Sequence, residues 1–147
     1  MEAMKVLFVD DEIDFLETLM KRMKKRGVDV AGVGSGEKAL DYLNKQLVDV
    51  VVLDVRMPGI GGIHTLREIK KIDSLTEVIM LTGHASIEAA IEGMQLGAFD
   101  YLLKPADFDE LLYKIQDAFK RRIIQKQKIE KLGDLKLTDQ KKGAIST

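Results

Sequence analysis

Acidic, hydroxyl and basic residues directly follow four apolar runs of the sequence. The runs are typical of buried β-strands, and the residues that follow them are, in chain order, Asp10, Asp11 and Glu12, then Asp54, then Thr82, and finally Lys104. Carboxylates gathered in one place repel one another and raise each other's pKa unless a cation lies among them. Oxygen ligands of this kind suit Mg²⁺, which takes one or two carboxylates together with a phosphate. If the fold brings these residues together, they predict a magnesium site.

The same residues fit phosphoryl transfer to a carboxylate. A carboxylate side chain can act as a nucleophile and accept a phosphoryl group. The transfer mostly needs positioning and neutralisation of the phosphoryl oxygens. Mg²⁺, the ammonium group of Lys104 and the hydroxyl group of Thr82 would supply that neutralisation.

Two alternating periodicities predict the elements that position these residues. Short β-branched runs, of which residues 50–53 form the strongest, alternate with stretches whose apolar residues recur at helical spacing. Five strand–helix units in strict alternation predict a doubly wound α/β fold, because each connection between parallel strands is right-handed and needs a helix. In such sheets ligands bind beyond the carboxyl ends of the strands.

Local signals mark the predicted helices. Ser35 and Ser86 are expected to cap the second and fourth helices. The fourth helix carries the apolar residues Ile87, Ala90, Ile91 and Met94. The basic, glutamine-rich residues 120–131 predict a helix that extends beyond the domain, and residues 133–147 are expected to be frayed or disordered.

Composition excludes several classes of function. The 147-residue chain has 23 Lys and Arg against 24 Asp and Glu, so a net charge of −1 gives no basic excess for nucleic-acid binding. The absence of cysteine excludes disulfides and thiolate chemistry. Apolar runs are far shorter than the roughly 20 residues of a membrane helix, and the start does not resemble a signal peptide. We expect a soluble, cytoplasmic protein.

Each chemically active residue also has an ordinary structural explanation. Acids after a strand often cap the next helix, and an isolated aspartate after a buried strand is usually a loop residue. Thr82 alone would be a cap, and Lys104 alone would be a solvated charge. The conjunction favours a functional site, since four strand ends carry the required groups in the required order.

Four motifs resemble the receiver domain of two-component response regulators. They are VDDE at 9–12, LDVRMPG at 53–59, LTGHA at 81–85 and GAFDYLLKP at 97–105, and the resemblance covers about residues 4–120. Arg56 and His84 are similar to the pair found in nitrogen-regulation-type receivers. Gly61 departs from the family pattern by replacing the usual acid, and Gly83 replaces the more usual alanine.

The resemblance implies the chemistry of individual residues. Asp54 would be the phosphoacceptor, phosphorylated by a sensor histidine kinase or through a phosphotransfer protein, and Lys104 would bind the phosphoryl oxygens. Asp11, Asp54 and the backbone carbonyl of Arg56 would ligate Mg²⁺ directly, whereas Asp10 would act largely through water. The bond between Lys104 and the proline that follows is expected to be cis.

The resemblance also implies an architecture and a switch. Residues 1–120 would form a flavodoxin-like receiver with strand order 2-1-3-4-5, and residues 121–147 would form the extended helix and tail. Thr82 and Tyr101 would couple phosphorylation to the surface made by the fourth helix, fifth strand and fifth helix. Beyond phosphotransfer to itself and autodephosphorylation, the protein would not be an enzyme.

Three competing interpretations use the same elements. A flavodoxin-like cofactor domain would place Ser, Thr and Gly after the first strand, where this chain has three acids that repel phosphate. A phosphatase of the haloacid dehalogenase type needs a second acid two residues beyond its nucleophile, and that position is Arg56. A receiver used mainly as a protein-binding or dimerising module remains open, although the complete set of acids, Thr82 and Lys104 argues against it.

The remaining charged residues suggest no further site. His64 and His84 are expected on a helix surface and in a loop, not as metal ligands. Residues 120–122 are basic, and we expect a solvated helix end there and no direct binding of nucleic acid. The chain is either a stand-alone receiver or one cut from a longer regulator. We expect a weak homodimer formed by the fourth helix, fifth strand and fifth helix. Ile115, Phe119, Ile123 and Ile129 would contribute to that interface.

Overall fold

Strands and helices alternate along the whole described chain. A computed structural model describes the backbone of residues 3–83 and 87–145 and the side chains of residues 3–83 and 87–135. The elements are β1 (Lys5–Val9), α1 (Ile13–Lys25), β2 (Asp29–Val33), α2 (Gly36–Lys45), β3 (Val50–Asp54), α3 (Gly61–Ile72), β4 (Glu77–Thr82), α4 (Ile87–Gln95), β5 (Asp100–Leu103) and α5 (Phe108–Ile145). Among the described residues, no helix combines the length and apolarity needed to span a bilayer.

The five strands form one parallel sheet in the order β2-β1-β3-β4-β5, which confirms the predicted fold. All five residues of the central strand β3 are buried, as its run of β-branched residues predicts for a strand covered on both faces. One apolar layer lies under α1 and α5 and includes Phe8, Met23 and Ile115. The other lies under α2, α3 and α4 and includes Leu66 and Met80.

Helix α2 begins as its sequence predicts. The Oγ of Ser35 accepts a hydrogen bond from the backbone N–H of Lys38 at 3.2 Å. Such a side chain satisfies one of the free N–H groups at the start of a helix. Ser86, the predicted cap of α4, lies outside the described residues.

Helix α4 leaves its large apolar residues exposed. Ile91 is 55% exposed, and Ile87 and Met94 are also exposed, whereas Ala90 and Gly93 are buried. A Cβ at Gly93 would lie 2.2 Å from the Sδ of Met80, so the helix approaches β4 through its smallest residues. The small residues face the sheet, and the larger side chains on the neighbouring face of the helix form an exposed apolar surface.

Helix α5 is the longest element of the described chain. It runs for 38 residues without a break at residue 120, where the sequence predicts that the domain ends. Residues 133–145, expected to be frayed or disordered, continue the helix. The helical conformation of residues 133–145 has a local cause, because this segment contains no proline and consists mainly of residues that a helix accepts at little cost. The division of the chain at residue 120 stays a prediction.

The basic segment at residues 120–122 is not a solvated helix end. Arg122 is only 2% exposed, and its Nε and Nη1 atoms lie 2.9 Å from Asp49 and 3.1 Å from Asp73. Arg121 pairs with the buried carboxylate of Glu77, which lies at the start of β4. These pairs join α5 to the end of the sheet opposite the acidic residues, so the prediction of a solvated helix end was wrong. The burial of Arg122 depends on tertiary contacts, since its partners lie on loops that are distant in the chain.

Candidate functional site

Three carboxylates meet where β1 and β3 end. Asp10 and Asp11 directly follow β1, and Asp54 is the last residue of β3. Since neighbouring parallel strands end at the same edge of the sheet, one oxygen atom of each carboxylate lies within 4.8 Å of the other two. Asp10 and Asp54 are buried, and Asp11 is exposed to solvent. A compact set of charged oxygen ligands that is open on one side fits Mg²⁺, which keeps several of its waters.

Lys104 supplies the positive charge of the site. Its Nζ atom lies 2.9 Å from Oδ2 of Asp10 and 3.7 Å from Oδ2 of Asp54. The same ammonium group lies over the ring of Phe15, 4.7 Å from the ring centroid. The peptide bond between Lys104 and Pro105 is cis, as predicted. The ammonium group of Lys104 therefore lies between two carboxylates and also contacts the face of an aromatic ring.

The environment of Asp54 disfavours its ionised form. Burial, and next the charge of Asp10, raise the pKa of the Asp54 carboxyl to about 6, although the charge of Lys104 acts in the opposite direction. Oδ1 of Asp54 accepts a hydrogen bond from the backbone N–H of Arg56 at 3.2 Å. A cation would relieve the repulsion between the carboxylates, so these interactions favour binding of a metal ion.

The charge of Lys104 is stabilised in turn by its neighbours. Burial opposes the charge of the ammonium group, but the hydrogen bond to Asp10 and the charges of Asp54 and Asp10 outweigh it and raise the pKa of Lys104. Oδ1 of Asp10 also accepts a hydrogen bond from the backbone N–H of Glu12 at 2.9 Å. Asp10 thus orients the lysine and the loop after β1 together.

Thr82 and Tyr101 lie on neighbouring strands at the same side of the molecule. Thr82 is buried at the end of β4, and its hydroxyl group donates to the carbonyl oxygen of Leu102 at 3.5 Å. Its carbonyl oxygen accepts from the backbone N–H of Lys104 at 2.8 Å. Tyr101 is 40% exposed. His84, the other half of the pair formed with Arg56, lies outside the described residues.

Comparison with known proteins identifies the family. The profile of the response regulator receiver domain matches residues 6–116. The chain belongs to the response regulator receiver domain family.

Individual receiver proteins agree with this assignment. The chain is 40% identical over 113 residues to the transcriptional regulatory protein ZraR of Escherichia coli K12, an alignment that covers 77% of this chain and 26% of ZraR. A receiver domain protein from Clostridium thermocellum superposes with a TM-score of 0.80 at 35% identity, covering 83% of this chain and 98% of that one. NtrX from Brucella abortus superposes with a TM-score of 0.80 at 28% identity, covering 86% of this chain and 29% of NtrX.

These relatives support the nitrogen-regulation-like subtype that the sequence predicts. The chain spans about a quarter of the length of ZraR. The matched part of this receiver begins just before its first acidic motif and ends within α5, so it contains every residue predicted for the site.

The receiver fold brings together most of the predicted site residues. Asp10, Asp11, Asp54 and Lys104 form one cluster, and Thr82 ends the strand between those that carry Asp54 and Lys104. Arg56 directs its backbone N–H to Asp54, while its side chain is exposed. Tyr101 lies on the edge strand β5 of the sheet.

Sequence reasoning missed two residues around this receiver site. Phe15 lies in the first turn of α1 and contacts the ammonium group of Lys104, and no local pattern in the sequence indicates that contact. Glu37, in the first turn of α2, accepts a hydrogen bond from the backbone N–H of Ile60 across 23 residues of sequence. No local pattern indicates that contact.

Proposed function

We propose that the protein is a phosphoryl acceptor in two-component signal transduction, with Asp54 as the residue that is phosphorylated. The observation that carries this proposal is the ammonium group of Lys104 lying between the buried carboxylates of Asp10 and Asp54. A carboxylate that held this lysine only for stability would not need two further acids within 4.8 Å. The arrangement suits the binding of a phosphoryl group at Asp54.

The transfer is a displacement at phosphorus. An oxygen atom of the Asp54 carboxylate attacks the phosphorus of a phosphohistidine, the P–N bond breaks, and its electron pair leaves with the imidazole ring, which takes up a proton. The new O–P bond makes an acyl phosphate on Asp54. The Nζ atom of Lys104 lies 3.7 Å from Oδ2 of Asp54. From that position its ammonium group would bind an oxygen atom of the new phosphoryl group.

Three groups would hold Mg²⁺ beside Asp54. Asp11, Asp54 and the backbone carbonyl of Arg56 would be direct ligands, and Asp10 would act through water. Mg²⁺ neutralises phosphoryl oxygens when it is bound. The oxygen donors and the raised pKa of Asp54 support this set.

Phosphorylation would be transmitted by Thr82 and Tyr101. The Thr82 hydroxyl group would exchange its long hydrogen bond with Leu102 for a phosphoryl oxygen, which draws the following loop inward. Tyr101, exposed on the neighbouring strand, would rotate inward. A local charge change would thus alter the surface of α4, β5 and α5.

The partners follow from this chemistry and from the exposed surface. A sensor histidine kinase or a phosphotransfer protein would donate the phosphoryl group in the cytoplasm. The exposed apolar residues of α4 would bind an output partner or a second copy of this chain in a weak homodimer. The chain would act on no substrate except its own Asp54 and would not bind nucleic acid directly.

Intact-mass measurement tests the proposal. With acetyl phosphate and Mg²⁺, the wild-type protein should gain the mass of one phosphoryl group, and Asp54→Asn should gain none. Lys104→Ala should keep the acceptor but lose phosphoryl binding, so its transfer should slow by roughly 10²-fold or more. A wild-type protein that stays unmodified and does not bind Mg²⁺ would refute the proposal.

A further inference from the structure

The loop from residue 55 to 60 joins Asp54 to helix α3 and contains the Arg56 carbonyl proposed as a metal ligand. Its first part is held by the sheet and by Asp54. Val55 donates its N–H to the carbonyl oxygen of Leu81 at 3.1 Å, and Arg56 donates its N–H to Asp54 at 3.2 Å. The loop closes on itself where Gly62 donates to the carbonyl oxygen of Val55 at 3.2 Å.

The far part of the loop has no acid of its own. Helix α3 starts after Ile60, whose apolar side chain cannot cap it, and its first turn contains no acidic residue. The family pattern has an acid where this chain has Gly61, a glycine with φ of +77°. The N–H groups at the start of a helix need acceptors, and negative charge is favourable there.

A carboxylate from helix α2 lies at the start of helix α3. Oε1 of Glu37, in the first turn of α2, accepts a hydrogen bond from the backbone N–H of Ile60 at 3.0 Å. A Cβ at Gly59 would lie 2.6 Å from the same oxygen, and Gly59 has φ of +83°, so the chain turns tightly against the carboxylate. Hydrogen bonds from the backbone of Glu37 itself and of Ile60 lower the pKa of this carboxyl, which keeps it ionised.

We propose that Glu37 is a positioning residue for the magnesium site, acting by fixing the loop from 55 to 60 and thereby the Arg56 carbonyl. The inference rests on the function proposed above. The loop is attached to Asp54 through the N–H of Arg56 and to Glu37 through the N–H of Ile60, so the carbonyl group of Arg56 lies between the two attachments along the chain. Glu37 touches neither the metal ligands nor the phosphoryl group, so its effect is on their geometry.

Two substitutions separate the hydrogen bond from the charge. Glu37→Ala removes the acceptor and the charge, whereas Glu37→Gln removes the charge but keeps an oxygen acceptor for Ile60. Loss of a group that orients a metal ligand typically weakens metal binding by about 10- to 100-fold, and Glu37 is one step more remote, so we expect Glu37→Ala to weaken Mg²⁺ binding by roughly 3- to 10-fold. Glu37→Gln should stay within about twofold of the wild type. Glu17→Ala, which removes an exposed glutamate of α1, is the control for charge.

The measurements are Mg²⁺ titration by calorimetry and amide hydrogen exchange of residues 55–60 in metal-free protein. We expect faster exchange of the Ile60 amide in Glu37→Ala and wild-type protection in Glu37→Gln. Equal Mg²⁺ affinity in Glu37→Ala and wild type, or equal weakening in the Ala and Gln variants, would overturn the inference while leaving the phosphoacceptor intact. Wild-type protein without Mg²⁺ binding would instead overturn the proposed function, and this inference with it.

Discussion

At the scale of single residues, the buried carboxylate of Asp54 destabilises the folded state of the metal-free protein. Its pKa is raised to about 6 by burial and by the charge of Asp10, above the usual aspartate range. A raised pKa means that the folded state holds the proton more tightly than the unfolded chain does. The free energy of unfolding therefore falls as pH rises through the window between the usual aspartate pKa and about 6.

This cost predicts that Asp54→Asn stabilises the metal-free protein. Asparagine keeps the size of the side chain and cannot ionise, so the variant should have a free energy of unfolding about 1–3 kcal/mol higher than wild type at pH 8. The difference should shrink as pH falls below about 6, where wild-type Asp54 becomes protonated. Urea denaturation at several pH values measures it, with Asp41→Asn, an exposed aspartate of α2, as control. A variant less stable than wild type at pH 8 would contradict the predicted repulsion.

At the scale of elements, helix α5 is held by ion pairs as well as by its apolar face. Arg122 is buried between Asp49 and Asp73, and Asp49 also accepts a hydrogen bond from the backbone N–H of Lys5 at 2.9 Å. Burial disfavours the charge of Asp73, but hydrogen bonding from Leu75 and the charge of Arg122 dominate and lower its pKa. The helix is thus joined to the loops before β3 and β4, which lie at the end of the sheet away from Asp54.

We expect Arg122→Ala to lower the free energy of unfolding by about 1–3 kcal/mol, since it leaves two partly buried carboxylates without their partner. The loss should be largest at neutral pH. It should narrow as pH falls through the lowered pKa of Asp73, because a protonated carboxyl needs no cation. Urea denaturation by circular dichroism measures the change. Arg67→Ala breaks an exposed pair with Glu92 at 3.3 Å and should change stability by less than about 1 kcal/mol. Equal effects of the two substitutions would show that burial of Arg122 adds nothing.

At the scale of the whole molecule, exposed large apolar side chains lie on α4, β5 and α5 and at scattered positions elsewhere. On α4 and β5 they are Ile87, Ile91, Met94 and Tyr101. Ile115, expected to contribute to a dimer, is fully buried in the core, and Phe119 packs against that core, so neither is free for an interface. Ile124, Ile129 and Leu132 on α5 stay exposed. A homodimer through α4, β5 and α5 would therefore rely on scattered exposed side chains, and we expect such an interface to be weak.

Sedimentation with and without beryllofluoride tests this interface. We expect the phosphoryl analogue to strengthen self-association of the wild type, and Ile91→Lys to weaken it by at least about tenfold through burial of an unpaired charge. Leu47→Lys, which changes an exposed residue before β3, is the matched control and should associate like wild type. A wild-type protein that is monomeric in both states up to high concentration would exclude the dimer.

The sequence by itself determined the fold and the composition of the site. Alternating strand and helix patterns specify a parallel sheet, and parallel strands end at a common edge, so Asp10, Asp54, Thr82 and Lys104 had to meet there. The cap at Ser35 was predictable for a similar reason, because its partner lies three residues away. Only the tertiary structure decided the contacts between distant residues that do not lie at the strand ends of the site. Glu37 reaches Ile60 across 23 residues, and Arg122 reaches Asp49 across 73.

Burial was the other property that the pattern of residue types left undecided. Helix α4 has enough apolar residues for a buried face, yet it packs its small residues Ala90 and Gly93 against the sheet, and its isoleucines face solvent. Arg122 belongs to a basic run that local composition assigns to the surface, yet two carboxylates from distant loops compensate its burial. Periodicity records which residues share a face of an element. What that face meets depends on the packing distance and on partners that only the folded chain supplies.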